Sequence, residues 1–138
     1  PHQFKEKSMN VTITTSYPLR DKNITRYISF PEFSEEIQET MISQLEYLNN
    51  IMTRSTKKAE SAIAKFPQPN YSLLKVAEEA GEVVKAGVHL AEGRDFTHSD
   101  LEDEVVDTIA MMFRVLIEGD QVIGLPPSFQ HDYTDWSG

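Results

Sequence analysis

Two pairs of carboxylate side chains have a spacing that suits a metal site. Glu79 and Glu82 are three residues apart, and so are Glu104 and Asp107. Residues three apart lie side by side on an α-helix, so each pair would present both carboxylates on one helix face. The 21 residues between Glu82 and Glu104 suffice to end one helix and bring a second back antiparallel. The two pairs are therefore predicted to face each other across a seam between two helices.

Carboxylates gathered in one seam repel each other unless a cation lies between them. Two carboxylates about 5 Å apart repel by roughly 3 kcal/mol at an effective dielectric constant near 20. Mg²⁺ takes oxygen ligands and shares its remaining positions with substrate phosphates. The pattern therefore predicts a Mg²⁺ site, with Mn²⁺ as a substitute. A di-iron site fits less well, because it needs Glu-x-x-His pairs and no glutamate lies three residues before His89 or His98.

Three helices are predicted to position these side chains, because apolar residues recur every three or four positions. The predicted spans are about 35–65, 71–92 and 99–118. Ser34 and Ser99 are the expected N-caps of the first and third helices. Gly93 and Gly119 fit the ends of the second and third. A break in the first helix near 53–56 is left open.

The fold class predicted from these spans is all-α, an antiparallel helical bundle over residues 34–119. The apolar arc of the helix at 71–92 covers about 200°, which is wider than one neighbouring helix can cover. A second copy of the chain would complete a four-helix core. The chain is therefore expected to be a homo-oligomer, either a homodimer or a dimer of dimers.

The two ends of the chain are predicted to lie outside the helical domain. Residues 1–33 are interpreted as an extended N-terminal arm, in which 11–15 and 24–30 have strand-like patterns and a short hairpin is the alternative. Residues 1–8 are expected to be a non-native addition. Residues 120–138 contain two consecutive prolines and little periodicity, so they are predicted to form a C-terminal tail.

The composition excludes several classes of function. The chain has 138 residues, no cysteine and a net charge of −9. Disulfides and thiolate metal sites are therefore excluded, and a basic surface for a nucleic-acid polymer is not expected. The N-terminus lacks a signal-peptide pattern and no apolar run is long enough to cross a bilayer. We therefore expect a cytoplasmic protein with no membrane partner.

The stretches LLKVAEEAGEVVKA (73–86) and LEDEVVDTIAMMFRVL (101–116) resemble the MazG-like nucleotide pyrophosphohydrolases. The signature of that family is Glu-x-x-Glu, a spacer and Glu-x-x-Asp. The resemblance implies a MazG-type helical fold in which the four paired carboxylates bind Mg²⁺ and are catalytic. It also implies cleavage of a nucleoside or deoxynucleoside triphosphate to the monophosphate and pyrophosphate. Many relatives continue with another helix rich in Lys, Asn and Arg, which this sequence lacks.

Four further side chains are candidates for substrate binding. Lys75 and Lys85 flank the carboxylates, so each is interpreted as a phosphate contact or as a partner of a nearby glutamate. Arg114 lies two turns beyond the second carboxylate pair on the same face. It is interpreted as a contact for phosphate or for a partner subunit, with a surface ion pair as the alternative. His89 lies further along the second helix and is a candidate contact for the base.

The expected function is thus Mg²⁺-dependent hydrolysis of a nucleotide at a phosphoric anhydride. Two alternatives remain open. One is hydrolysis of a phosphoribosyl-nucleotide by an enzyme of the same fold group. The other is a non-catalytic helical interaction protein, in which the acidic seam is only a charged face. Release of pyrophosphate in the presence of Mg²⁺ would separate a catalyst from an interaction protein.

Overall fold

A computed structural model describes residues 9–17, 22–30 and 34–130 of the chain. The elements in chain order are β1 (Met9–Tyr17), β2 (Lys22–Phe30), α1 (Glu35–Lys65), α2 (Ser72–Ala91), α3 (His98–Glu118) and a short 3-10 helix (Ser128–Gln130). The chain divides into two compact units, with the boundary between Thr53 and Arg54. No helix among the described residues is long and apolar enough to span a membrane.

The first unit contains a β-hairpin. β1 and β2 pair antiparallel, in a register that runs from Met9 opposite Phe30 to Tyr17 opposite Lys22. Both strands contain β-branched residues at many positions, which favours extended backbone. Of the two alternatives for this segment, an extended arm and a short hairpin, the structure has the hairpin. The longer elements that follow are all helices, so the predicted helical class is confirmed for that part of the chain.

α1 is one continuous helix, so the break left open near 53–56 does not occur. It begins after Ser34, whose Oγ accepts a hydrogen bond from the backbone N–H of Ile37 at 3.4 Å. This contact agrees with the predicted N-cap. The helix ends at Lys65, just before Phe66, because the proline that follows disfavours helical backbone at that position.

α2 and α3 lie antiparallel in the second unit. Near the turn between them, Gly87 faces the side chain of Leu101. At the opposite end, the backbone N–H of Leu73 donates to a carboxylate oxygen of Asp120 at 3.0 Å. The predicted antiparallel pairing is thus confirmed. Gly93 follows α2 with a φ of 72°, a conformation that favours glycine.

The N-cap of α3 is Thr97, and the prediction that Ser99 caps this helix was wrong. The Thr97 hydroxyl accepts from the backbone N–H of Asp100 at 3.1 Å, and the Asp100 carboxylate accepts from the backbone N–H of Thr97 at 2.7 Å. These reciprocal bonds form a capping box. The Asp100 carboxylate also accepts a hydrogen bond from the Thr97 hydroxyl at 2.9 Å. The bonds that it accepts from the backbone N–H and the hydroxyl of Thr97 lower the pKa of Asp100.

The core of the second unit is built from small and medium-sized side chains. Ala59, Ala110 and Met111 are buried together, and Ala62, Val76 and Phe113 pack against them. One of the two buried alanines lies on α1 and the other on α3, so this cluster joins the two helices. This packing places the α1 face that includes Lys58 and Ala62 beside the motif helices.

The segment after α3 folds back onto the helix end. Asp120 is fully buried, and its backbone exchanges two hydrogen bonds with Leu125. Gly119 has a φ of 69°, and a Cβ at this position would collide with the carbonyl oxygen of Leu125. Residues 120–130 therefore form an ordered turn that the sequence analysis did not predict. Residues 1–8 and 131–138 lie outside the described residues.

Candidate metal-binding site

Three of the four motif carboxylates meet between α2 and α3. One carboxylate oxygen from each of Glu79, Glu104 and Asp107 lies within 4.8 Å of the other two. The Glu79 and Asp107 side chains are only 17% and 24% exposed. We call these three residues the carboxylate cluster. It agrees with the predicted meeting of the two motif helices, and it brings acidic side chains into a half-buried position where charge is costly.

The fourth motif carboxylate, Glu82, lies at the edge of this cluster. Its side chain is 47% exposed and pairs with Lys85 at 3.5 Å. Its oxygens are not part of the group that lies within 4.8 Å. Its charge nevertheless contributes to raising the pKa of Glu104. The structure therefore places Glu82 near the site, with Glu79 as the α2 residue that meets both α3 carboxylates.

The electrostatics of the cluster are unfavourable to a third negative charge. Burial raises the pKa of Glu104, and the charges of Asp107, Glu79 and Glu82 raise it further, while Lys58 acts in the opposite direction. A divalent cation among these oxygens would relieve the repulsion. The donor set of three oxygens on two rigid helices fits a hard cation such as Mg²⁺ or Mn²⁺.

Lys58 of α1 was not among the predicted site residues. Its Nζ forms an ion pair with Oδ1 of Asp107. This contact arises because Ala59 packs in the core beside Ala110, which brings that turn of α1 against α3. Lys58 therefore supplies one positive charge to the cluster from a helix outside the double motif. No sequence signal distinguishes it from the other lysines of α1.

The two predicted lysines both pair with glutamates of their own helix. Lys75 contacts Glu78 at 2.9 Å and Glu79 at 3.7 Å. The hydrogen bond with Glu78 is the main reason that the pKa of Lys75 is raised. Lys85 pairs with Glu82. Lys75 thus contacts the cluster directly, whereas Lys85 contacts only the edge carboxylate.

The two other predicted substrate contacts have different surroundings. His89 lies in the last turn of α2, where Nε2 is 3.3 Å from an Arg94 nitrogen and the ring meets Phe96 edge-on, with the ring centroids 4.9 Å apart. Its position is more than two helical turns from Glu79, so the structure does not bring it to the cluster. Arg114 is only 3% exposed. The alternative of an ion pair for Arg114 is therefore confirmed, with Glu118 as the partner, but the pair is buried and does not lie on the surface.

Arg114 instead forms a buried connection between α3 and the segment after α1. Its guanidinium pairs with Glu118 and donates to the carbonyl oxygen of Phe66. Gln68 reinforces the same segment, because its side-chain nitrogen donates to Ser72 at 2.8 Å and to Glu118 at 3.0 Å. These contacts hold the stretch 66–70 in place between the helices.

A cavity of about 400 Å³ adjoins the cluster, and we call it the side cavity. Glu79 belongs to both the cluster and the cavity wall. The wall also includes Lys58, Phe66, Asn70, Lys75, Met111 and Arg114. Of the predicted substrate contacts, Lys75 and Arg114 therefore line one cavity, while Lys85 and His89 do not. Phe66 and Asn70 were missed because the Pro-containing stretch was interpreted only as a helix terminator.

No family model matches the sequence, and comparisons with curated proteins and with solved structures likewise give no match. The similarity of the double motif to MazG-like pyrophosphohydrolases thus has no further support from relatives. The functional argument rests on the carboxylate cluster, the two lysines that contact it (Lys58 and Lys75) and the side cavity.

Proposed function

We propose that the chain hydrolyses a nucleoside or deoxynucleoside triphosphate to the monophosphate and pyrophosphate, with Mg²⁺ as cofactor. The observation that carries this proposal is the meeting of Glu79, Glu104 and Asp107 within 4.8 Å, beside a cavity lined by cationic side chains. A carboxylate site for a divalent cation next to lysines is what a triphosphate requires, because both neutralise phosphate charge.

The three cluster residues are assigned as the protein ligands of the cation, with Glu82 beside them as the fourth motif carboxylate. When bound, Mg²⁺ supplies electrostatic stabilisation of the triphosphate and of the pyrophosphate leaving group. In the reaction a water molecule attacks the α-phosphorus, the bond to the bridging oxygen breaks, and pyrophosphate leaves with that oxygen. The MazG-like resemblance of the motif implies the same reaction.

The lysines of the site are assigned to the phosphate chain. Lys58 pairs with Asp107, and Lys75 lies 3.7 Å from an oxygen of Glu79. Both side chains also line the side cavity, so each ammonium lies where a phosphate next to the cluster would accept its hydrogen bonds. Their charges offset the repulsion that a triphosphate would meet in a protein with a net charge of −9.

We also propose that two copies of the chain associate, most simply as a homodimer. Large apolar side chains on α2 and α3 are exposed: Leu73, Leu74, Val84, Val88, Met112, Leu116 and Ile117. Large exposed apolar patches are usually covered by a partner, and a symmetric second copy could bury these side chains. Light scattering should give at least a dimer at micromolar concentration. A stable monomer under those conditions would contradict this part of the proposal.

The activity is tested by a substrate screen that measures pyrophosphate release. The common nucleoside and deoxynucleoside triphosphates and a phosphoribosyl-nucleotide are each incubated with the protein and Mg²⁺, and again with excess chelator. We expect pyrophosphate release from at least one triphosphate in the presence of Mg²⁺ and none in excess chelator. Release from the phosphoribosyl-nucleotide alone would favour the alternative substrate. No release from any compound would favour the non-catalytic interaction protein.

A further inference from the structure

The side cavity extends away from the carboxylate cluster along the groove between the helices. Its α3 wall includes Met111 and Arg114, which follow Asp107 by four and seven residues. At 1.5 Å per residue, Arg114 lies about 10 Å further along the helix than Asp107. The volume of about 400 Å³ falls in the range of small-molecule sites. A ligand anchored at the cluster could therefore continue well into this groove.

The two ends of the side cavity differ in chemistry. At the cluster end, Lys58 and Lys75 both contact cluster carboxylates, so this end suits an anionic group. The other end is formed by an aromatic ring, a thioether and a carboxamide, from Phe66, Met111 and Asn70, together with Arg114, whose guanidinium is already paired with Glu118. The Phe66 side chain is largely exposed, at 58%. A carboxamide offers both a donor and an acceptor, and an exposed ring offers a stacking surface.

The wall at the far end is held in place before any ligand binds. Arg114 donates to the carbonyl oxygen of Phe66. The Gln68 side-chain oxygen accepts from the backbone N–H of Asn70 at 3.1 Å and from that of Gln121 at 3.0 Å. These contacts fix the backbone at Phe66 and Asn70, from which the ring and the carboxamide extend. Such preorganisation reduces the entropy lost when a ligand binds.

We propose that the side cavity binds the nucleoside part of a nucleotide, with Phe66 and Asn70 as the residues that contact the base. The planar base lies against Phe66 and Met111, and its polar edge hydrogen-bonds to the carboxamide of Asn70. The α-phosphate points toward Lys58 and Lys75. The direction of the phosphate chain rests on the proposed function, whereas occupancy of the cavity by a nucleoside monophosphate requires neither metal nor turnover.

The test is calorimetric titration of the metal-free protein, in chelator, with each common nucleoside monophosphate. At least one should bind. Phe66→Ala should weaken that binding fivefold or more, since stacking of one base on an aromatic side chain contributes on that scale. Asn70→Ala should reduce the preference between bases. Phe129→Ala is the matched control, because Phe129 is similarly exposed and is not part of the cavity wall.

Thermal unfolding of each variant should match the wild type, because Phe66 and Phe129 are both exposed. The proposal would be overturned if no nucleoside monophosphate bound. It would also be overturned if Phe66→Ala and Phe129→Ala lost the same binding affinity. The binding test can fail or succeed independently of the pyrophosphate-release screen. Binding that depends on Phe66, without pyrophosphate release from any triphosphate, would support the cavity and contradict the reaction. Pyrophosphate release with KM and base preference unchanged in both cavity variants would contradict the cavity alone.

Discussion

Replacement of Glu104 by Gln should make the metal-free protein more stable. The substitution keeps the shape of the side chain and removes one negative charge from the cluster. Each of Glu79 and Asp107 offers an oxygen within 4.8 Å of one from Glu104, and two charges at about this distance repel by roughly 3 kcal/mol at an effective dielectric constant near 20. Within the described residues, Glu104 forms no ion pair that would offset this repulsion.

The net gain should be smaller than this gross repulsion. Lys58 pairs with Asp107 and partly cancels its charge, and the half-exposed position raises the effective dielectric constant. We therefore expect Glu104→Gln to raise the free energy of unfolding by about 1–2 kcal/mol. For a chain of this length, that corresponds to a rise in Tm of roughly 3–8 °C. Thermal and urea unfolding in chelator, at one protein concentration, measure both quantities.

The difference between variant and wild type should depend on pH. Because the pKa of Glu104 is raised in the folded protein, its protonated form favours folding. That contribution is complete below the ordinary carboxyl pKa and is lost as the pH rises through the raised value. The advantage of Glu104→Gln should therefore be largest at about pH 7.5 and should shrink toward about pH 4. Unfolding curves of both proteins across this pH range test whether the stability difference changes in the expected direction.

Asp103→Asn provides a matched control on the same helix. Asp103 is exposed and pairs with Arg54 at 2.5 Å, so its neutralisation should leave stability unchanged or slightly lower. Addition of Mg²⁺ should stabilise the wild type and the control, and should stabilise Glu104→Gln much less. A loss of stability in metal-free Glu104→Gln at neutral pH would refute the reasoning, because it would show that the cluster is a stabilising network.

Four other substitutions test the local structure through urea unfolding. Thr97→Ala removes the capping box of α3 and should lower the free energy of unfolding by about 1 kcal/mol; an unchanged value would contradict the assigned cap. Gly119→Ala should lower it by about 2 kcal/mol or more, because the new Cβ meets the chain at Leu125. Gly124 also has a positive φ, but the space around it is open. Gly124→Ala should therefore lower the free energy of unfolding by less than Gly119→Ala does, and equal reductions would contradict the folded-back turn. Asp120→Ala should lower the free energy of unfolding by about 1–3 kcal/mol, because it removes a buried acceptor of backbone N–H groups. A reduction below about 0.5 kcal/mol would show that this carboxylate does not stabilise the turn.

The helices could be predicted from sequence because their apolar spacing is local information. The start of α3 shows the limit of such information. Thr97 is followed by Asp100 three residues later, and Ser99 is followed by Glu102 three residues later, so two capping boxes overlap. Either could begin the helix, and the structure selects the earlier one. Residue patterns alone therefore place this boundary only to within two residues.

The candidate site could be predicted only where its residues share a helical motif. Glu79, Glu104 and Asp107 have spacings that place them in the seam between two helices. Lys58 has no such spacing, since its position depends on how α1 packs through Ala59. The side cavity likewise depends on the fixed stretch after α1. Contacts between elements distant in sequence are set by three-dimensional packing, which periodicity does not reveal.

The most direct test of the proposed function compares pyrophosphate release by the wild type and by Glu79→Gln, at saturating Mg²⁺ and with the best substrate of the screen. Glu92→Gln removes the same charge just beyond α2, where Glu92 pairs with Arg94, and serves as the control. The proposed function predicts release by the wild type and by Glu92→Gln, loss of at least a hundredfold in Glu79→Gln, and none from any of them in excess chelator. Full activity in Glu79→Gln, or release that continues in chelator, would contradict it.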